Sequence, residues 1–172
     1  MGYLKNERET RKVVDDEGFS HSGDLGYFDE RGFLHITGRL KELIITAGGE
    51  NVAPILIEDK LKELCPILSN VMVVGDDRKY LAAIITLKSI FDLQTGEGED
   101  KLPDHARAAL VSEGVWEASQ GPLKPSEMLK DTKILKYIES KVQLLNEKHV
   151  ISRAQQIRKW VVVGGDFSVK GG

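Results

Sequence analysis

The stretch TGRLKELIITAGGENVAP, Thr37 to Pro54, sets an arginine beside a glycine, then two charged residues, an apolar run, a double glycine and a proline. A plain hairpin needs only alternation and a turn, and this run carries more chemistry than that. LIIT and NVA read as two short strands around AGGE, and Pro54 reads as a helix start, where a missing N–H costs nothing. Working backwards, LGYF and FLHIT form another hairpin around the turn DERG, with Gly32 supplying the positive φ. Residues 3–17 are polar, with helix character at best. Working forwards, Ile57, Leu61 and Leu64 are spaced for one face of a helix from Pro54 to Cys65.

LSNVMVVG (68–75) and LAAIITL (81–87) are strand-like, and the short polar GDDRKY between them predicts antiparallel pairing. QTGEGEDKLPD is a loop, and Asp104–Glu113 reads as a helix with a stripe of Ala106, Ala109 and Leu110. The longest helix is expected from Ser126 to His149, with Ile134 or Leu135, Ile138, Val142 and Leu145 on one face. KWVVV is a third core strand. No internal repeat is apparent. The class is α+β: a β-hairpin plus a three-stranded, mostly antiparallel sheet flanked by helices, with a helical insertion at about 89–130.

Composition narrows the function classes. At 172 residues, with 41% hydrophobic and 30% charged residues, the chain has apolar material for its own core. A net charge of −3 gives no global reason to expect nucleic-acid binding. The single cysteine, Cys65, excludes an internal disulfide and fits a reducing compartment. No run approaches the length of a membrane span, and MGYLKNERETRK has no signal-peptide core. Asn6 also stands where a myristoylation motif wants Ser or Thr. The four histidines lack metal-ligand spacing, and GEGED (96–100) reads as a solvated acidic loop.

Asp24, in HSGDLG, is by itself an ordinary turn residue, and Arg39 an ordinary strand-end arginine. The hairpin between them has the length to bring both to its open end. A carboxylate there can accept from two adjacent hydroxyls, and a guanidinium beside it can donate to sugar or phosphate oxygens in a fork. The competing account is a plain surface ion pair of little energetic consequence.

SGDLGYF and GFLHITGRLKELIITAGGENVAP, followed by SNVMVVGDDRKYLAAIITLK and the late KWVVVGGDFSV, resemble the adenylate-forming superfamily. Within it they are most similar to bubblegum-type long-chain fatty acyl-CoA synthetases. The resemblance implies the small C-terminal lid domain of those enzymes, with residues 1–38 the tail of the large N-terminal adenylation domain. Residues 39–41 would be the hinge and 42–172 the mobile domain, ending before the catalytic-lysine motif, so that no catalytic residue falls in this chain. It further implies ATP/AMP contacts from Asp24 and Arg39, a pivot at Lys41, and a CoA-side loop of Gly48, Gly49 and Glu50. Lys170 lacks the flanking pattern of the family's lysine.

The implied activity of the parent is AMP-forming ligation of a long-chain fatty acid to CoA, with ATP, CoA and Mg2+ as its cofactors. None of these is expected to bind the isolated chain tightly, and that chain is expected to be inactive. Its partners are the N-terminal adenylation domain and the substrates fatty acid and CoA. No nucleic acid is implied, and membrane association concerns the parent alone. The location implied is cytoplasmic, with a peripheral place at the endoplasmic reticulum membrane. Two alternatives remain: a non-catalytic interaction module on the lid scaffold, or an adenylating domain that passes its acyl group to a carrier-protein thiol.

Overall fold

The computed structural model describes residues 2–91, 98–119 and 121–165. The chain divides into two compact units between Leu43 and Ile44. The first begins with α1 (Glu7–Val13), where the Asn6 side chain accepts the Glu9 N–H. Glu7 and Glu9 lie in its first turn and Arg11 and Lys12 in its last, the arrangement that suits a helix dipole. Strands β1 (Asp24–Phe28) and β2 (Leu34–Arg39) then pair antiparallel, from Phe28 opposite Leu34 to Asp24 opposite Arg39.

The turn between these strands is built by Asp29, whose Oδ1 accepts the N–H groups of Arg31 (2.9 Å) and Phe33 (2.8 Å). Its Oδ2 lies 2.9 Å from His35 Nε2, and Gly32 takes φ +83°. The same construction occurs at Asp15: Oδ1 accepts from Glu17 (3.1 Å) and Phe19 (2.8 Å), Oδ2 lies 3.0 Å from His21, and Gly18 has φ +89°. DDEGFSH and DERGFLH are thus two copies of Asp-x-x-Gly-Phe-x-His. The expectation of no internal repeat is corrected at this local scale. A seven-residue unit is too short to register as an architectural repeat, although its spacing is plain once the bonds are seen.

Both carboxyls are held below the ordinary aspartate range. For Asp29 the main cause is His35, then the Phe33 N–H; for Asp15 it is the Phe19 N–H, then His21. A depressed folded pKa contributes stability above the unfolded value and loses it as pH falls through the folded one. Protection of the Phe19 and Phe33 amides from hydrogen exchange should therefore fall below about pH 4. In Asp15→Asn and Asp29→Asn, that pH dependence should disappear at the matching amide.

The second unit opens with β3 (Ile44–Ile45) and β4 (Asn51–Val52), a tight antiparallel pair, followed by α2 (Pro54–Leu64) with Pro54 in its first turn. Ile57 and Leu61 are buried, Leu64 packs partly buried against the core, and α2 ends at the buried Cys65. Burial pushes that thiol up to about 12, so it behaves as a small core residue rather than a nucleophile. Strands β5 (Leu68–Val74) and β6 (Leu81–Leu87) pair antiparallel, as the short polar connection requires.

The insertion supplies β7 (Ile90–Phe91) paired with β8 (Gly98–Glu99), then α3 (Asp104–Ser112) and α4 (Pro125–Met128). It is not an appendage: Leu102, Ala106, Leu110, Leu123 and Met128 are buried in the same core as Leu61 and Ile85. The Glu113 carboxylate fastens it further, accepting from Lys141 Nζ and, at 3.3 Å, from the Tyr137 hydroxyl.

The long helix is shorter than expected. α5 runs Thr132–Lys148, and the Asp131 carboxylate caps it by accepting the N–H groups of Lys133 (2.7 Å) and Ile134 (3.3 Å). Its buried face is Ile134, Tyr137, Ile138, Val142 and Leu145. The final strand, β9 (Ile157–Val163), lies parallel to β6, so the order is β5-β6-β9 and the sheet is mixed. A parallel neighbour needs a crossover, which the insertion and α5 provide. The α+β class read from the sequence is borne out.

Candidate functional site

Two groups of site residues stand in separate units. In the first, Asp24 and Arg39 are register partners at the open end of the β1–β2 hairpin, and Arg39 Nε donates to Asp24 Oδ1 at 2.9 Å. The end is fastened by Leu40 N–H to Gly23 C=O (2.8 Å) and Asp24 N–H to Ser22 Oγ (3.2 Å). Among the described residues the pair leaves Asp24 Oδ2 and the terminal guanidinium nitrogens uncommitted. A carboxylate oxygen beside free N–H donors fits a ribose diol and an adjoining phosphate oxygen. Lys41 is exposed in a 3-10 turn, Leu40–Glu42, just before the boundary between the units.

In the second unit the loop Thr46–Glu50 joins β3 to β4. Thr46 is buried; its C=O accepts the Gly49 N–H (2.8 Å) and its Oγ1 the Glu50 N–H (3.2 Å). Gly49 has φ +79°, a conformation side chains avoid, and the tip of Gly48 and Gly49 is exposed. The β5–β6 turn supports one limb: Ile45 N–H donates to Asp76 Oδ1 (2.9 Å), Asp77 N–H to Ile45 C=O (2.8 Å) and Ala47 N–H to Arg78 C=O (3.0 Å). Beside Ala47 runs a cleft with three cations, Arg78, Lys79 and Lys159, against Asp76 and Asp77. Lys159 Nζ lies 6.0 Å from the centre of the Tyr80 ring.

The third loop residue, Glu50, is bonded from a distance. Ser152 Oγ lies within 2.7 and 2.8 Å of its two oxygens, and Gln155 Nε2 donates to Oε1 at 2.9 Å. Sequence reasoning missed Ser152 and Gln155, and no local motif announces them; only the folded register brings them to the loop. His21 and His35 serve the paired turns described above, and His105 Nε2 lies 3.5 Å from Lys88 Nζ. Among the described residues no group of three His, Cys, Asp or Glu is placed to hold a metal ion. Lys170, and Gly96 and Glu97 of GEGED, lie outside the described residues.

The fold is shared with a solved structure, the A domain of a carboxylic acid reductase from Segniliparus rugosus in complex with AMP and a co-purified carboxylic acid. The likeness has a TM-score of 0.63 at 19% identity and covers 99% of this chain and 22% of that one. Residues 41–117 match the family described as the AMP-binding enzyme C-terminal domain, and the match starts at Lys41. From Lys41 to Glu117 the chain is similar to these C-terminal domains.

Similarity over the whole chain is found among long-chain-fatty-acid–CoA ligases. One from Gallus gallus is 48% identical over 100% of this chain and 22% of its own length. Another, from Homo sapiens, is 42% identical over 100% of this chain and 25% of its own. The chain thus spans a quarter or less of these curated relatives. The family match ends in the insertion, and α5 and β9 lie beyond it.

Proposed function

We propose that this chain serves an AMP-forming long-chain fatty acid–CoA ligase as its nucleotide-contacting hairpin, hinge and CoA-side loop. The observation that carries the reading is the 48% identity to a long-chain ligase along the entire chain, from the Asp24–Arg39 hairpin to β9. In the proposed reaction a fatty carboxylate attacks the α-phosphorus of ATP and pyrophosphate leaves. The CoA thiol then attacks the acyl carbon, forming the thioester as AMP departs.

In this reading Asp24 accepts from the ribose hydroxyls, and Arg39, oriented by Asp24, donates to ribose or phosphate oxygens. Gly48 and Gly49 let the pantetheine arm pass close to the backbone, with Glu50 on the same loop. The cations Arg78, Lys79 and Lys159 favour the phosphates of CoA on that side. Mg2+ would accompany ATP and is assigned to no residue here. The large N-terminal adenylation domain supplies the remaining machinery, so the 172 residues alone would not turn over. We place the parent in the cytoplasm, peripheral to the endoplasmic reticulum membrane.

The test is AMP release by the longer protein, dependent on both a long-chain fatty acid and CoA. Absence of AMP with that domain present overturns the reading. Lys41→Pro probes the hinge: proline fixes φ and drives Leu40 away from its helical turn. The expected result is one half-reaction retained while overall turnover falls about tenfold. Equal loss of both half-reactions rejects the pivot.

A further inference from the structure

We propose that Glu50 is a positioning residue for thioester formation: clasped by Ser152 and Gln155, it holds the glycine loop in one shape and does not itself touch CoA. The inference deepens the ligase reading and rests on it for the reaction concerned, though the clasp is a property of the chain.

The Ser152 hydroxyl lies 2.7 and 2.8 Å from the two carboxylate oxygens, its single proton shared between them, and Gln155 Nε2 donates to Oε1 at 2.9 Å. These are charge-assisted bonds at a half-buried site, where exclusion of water strengthens them. The loop has two limbs. The Ile45–Ala47 limb is fastened by three bonds to the β5–β6 turn. Among the described residues, the ties between the glycines and β4 beyond the loop's own Thr46 bonds are those of Glu50. Two adjacent glycines lose more backbone freedom on ordering than any other pair, so this limb is where an external fastening matters.

The segment carrying the clasp is itself fixed. Asn146 of α5 accepts the Ile157 N–H at 2.9 Å and donates to the Ile157 C=O at 2.8 Å, and Gln156 C=O accepts the Leu81 N–H at 3.2 Å. Through Ser152 and Gln155 the glycine loop is therefore referred to α5 and the central strand β6. A carboxylate used this way sets the loop's shape before CoA arrives, which is preorganisation of a binding surface.

The experiment compares Glu50→Ala, the double variant Ser152→Ala/Gln155→Ala, and the triple combination in the longer protein. Single-turnover thioester formation from preformed acyl-adenylate is followed against CoA concentration, and adenylation by pyrophosphate exchange. The clasp predicts that Glu50→Ala and the double variant each slow thioester formation about tenfold. The adenylation rate should stay within about twofold, any rise in the KM for CoA should be the same in Glu50→Ala and the double variant, and the triple variant should be no slower than either parent. A direct CoA contact would raise KM in Glu50→Ala and leave the double variant silent, and that result overturns the proposal; so do additive losses in the triple.

Hydrogen exchange on the 172-residue chain separates the two readings. The Gly49 and residue-50 amides should exchange about tenfold faster in both variants, and to a smaller extent in Glu50→Gln, with the Ile85 amide as the core reference. Unchanged loop exchange rejects the clasp even in an active ligase. Faster loop exchange in a protein that makes no acyl-CoA leaves the clasp standing and rejects only the ligase reading.

Discussion

Asp24→Ala should lower the rate of adenylate formation by about thirtyfold to several hundredfold in the proposed ligase that contains this chain. Hydrogen bonds to a charged group are worth about 1.5–3 kcal/mol each, and under the proposed role two ribose hydroxyls would share this carboxylate with less than full additivity. A loss of about 2–4 kcal/mol converts to that range. The variant also releases Arg39, whose Nε is held by Asp24 at 2.9 Å, so the guanidinium loses its aim as well. Asp24→Asn keeps one carbonyl oxygen and should fall between wild type and alanine.

Stability separates this effect from unfolding. The pair is exposed on the arginine side, and such ion pairs contribute about 0–1 kcal/mol. Thermal melting of the 172-residue chain should therefore hardly move. Pyrophosphate exchange within threefold of wild type would return Asp24 to the status of a turn residue.

Leu61→Ala costs about 2–5 kcal/mol of folding stability, a large share of the roughly 5–15 kcal/mol of a typical domain. Leu61 has no exposed surface and lies on α2 among residues of the single core. Truncation leaves a cavity that the sheet beneath cannot collapse into without breaking its ladder. With a urea slope of about 1–3 kcal/mol/M, the midpoint should drop by about 0.7 M or more. Leu56, on the same helix but 53% exposed, provides the control: Leu56→Ala should stay within about 0.5 kcal/mol. Equal effects from the two would show that α2 does not pack as described.

The hairpins, the Pro54 helix start and the limits of β6 were legible because each is written in neighbouring residues. Pro54 needs no partner, and Leu81–Leu87 is bracketed by polar turns. The start of α5 was misplaced because apolar spacing runs on through Met128 and Leu129, while the signal that decides, Asp131 as cap, is a single residue. The paired Asp–His turns were overlooked because each copy looks like an ordinary turn until its bonds are drawn. Among the candidate site residues, Asp24 and Arg39 were placed together by counting along one hairpin. Glu50's companions lie about a hundred residues away, where the register of β9 decides proximity and local pattern has no access.

The parallel seating of β9 against β6 has a consequence for biosynthesis. Strand β6 is the middle of the sheet, yet one of its hydrogen-bonding edges is filled only by Leu81–Thr86 pairing with Ile157–Val163. At about 5–20 residues per second, a ribosome takes roughly 4–15 s to make the residues that separate the ends of the two strands. Throughout that interval the nascent chain carries the most apolar strand of its core with one side unguarded, available to a chaperone or to another copy.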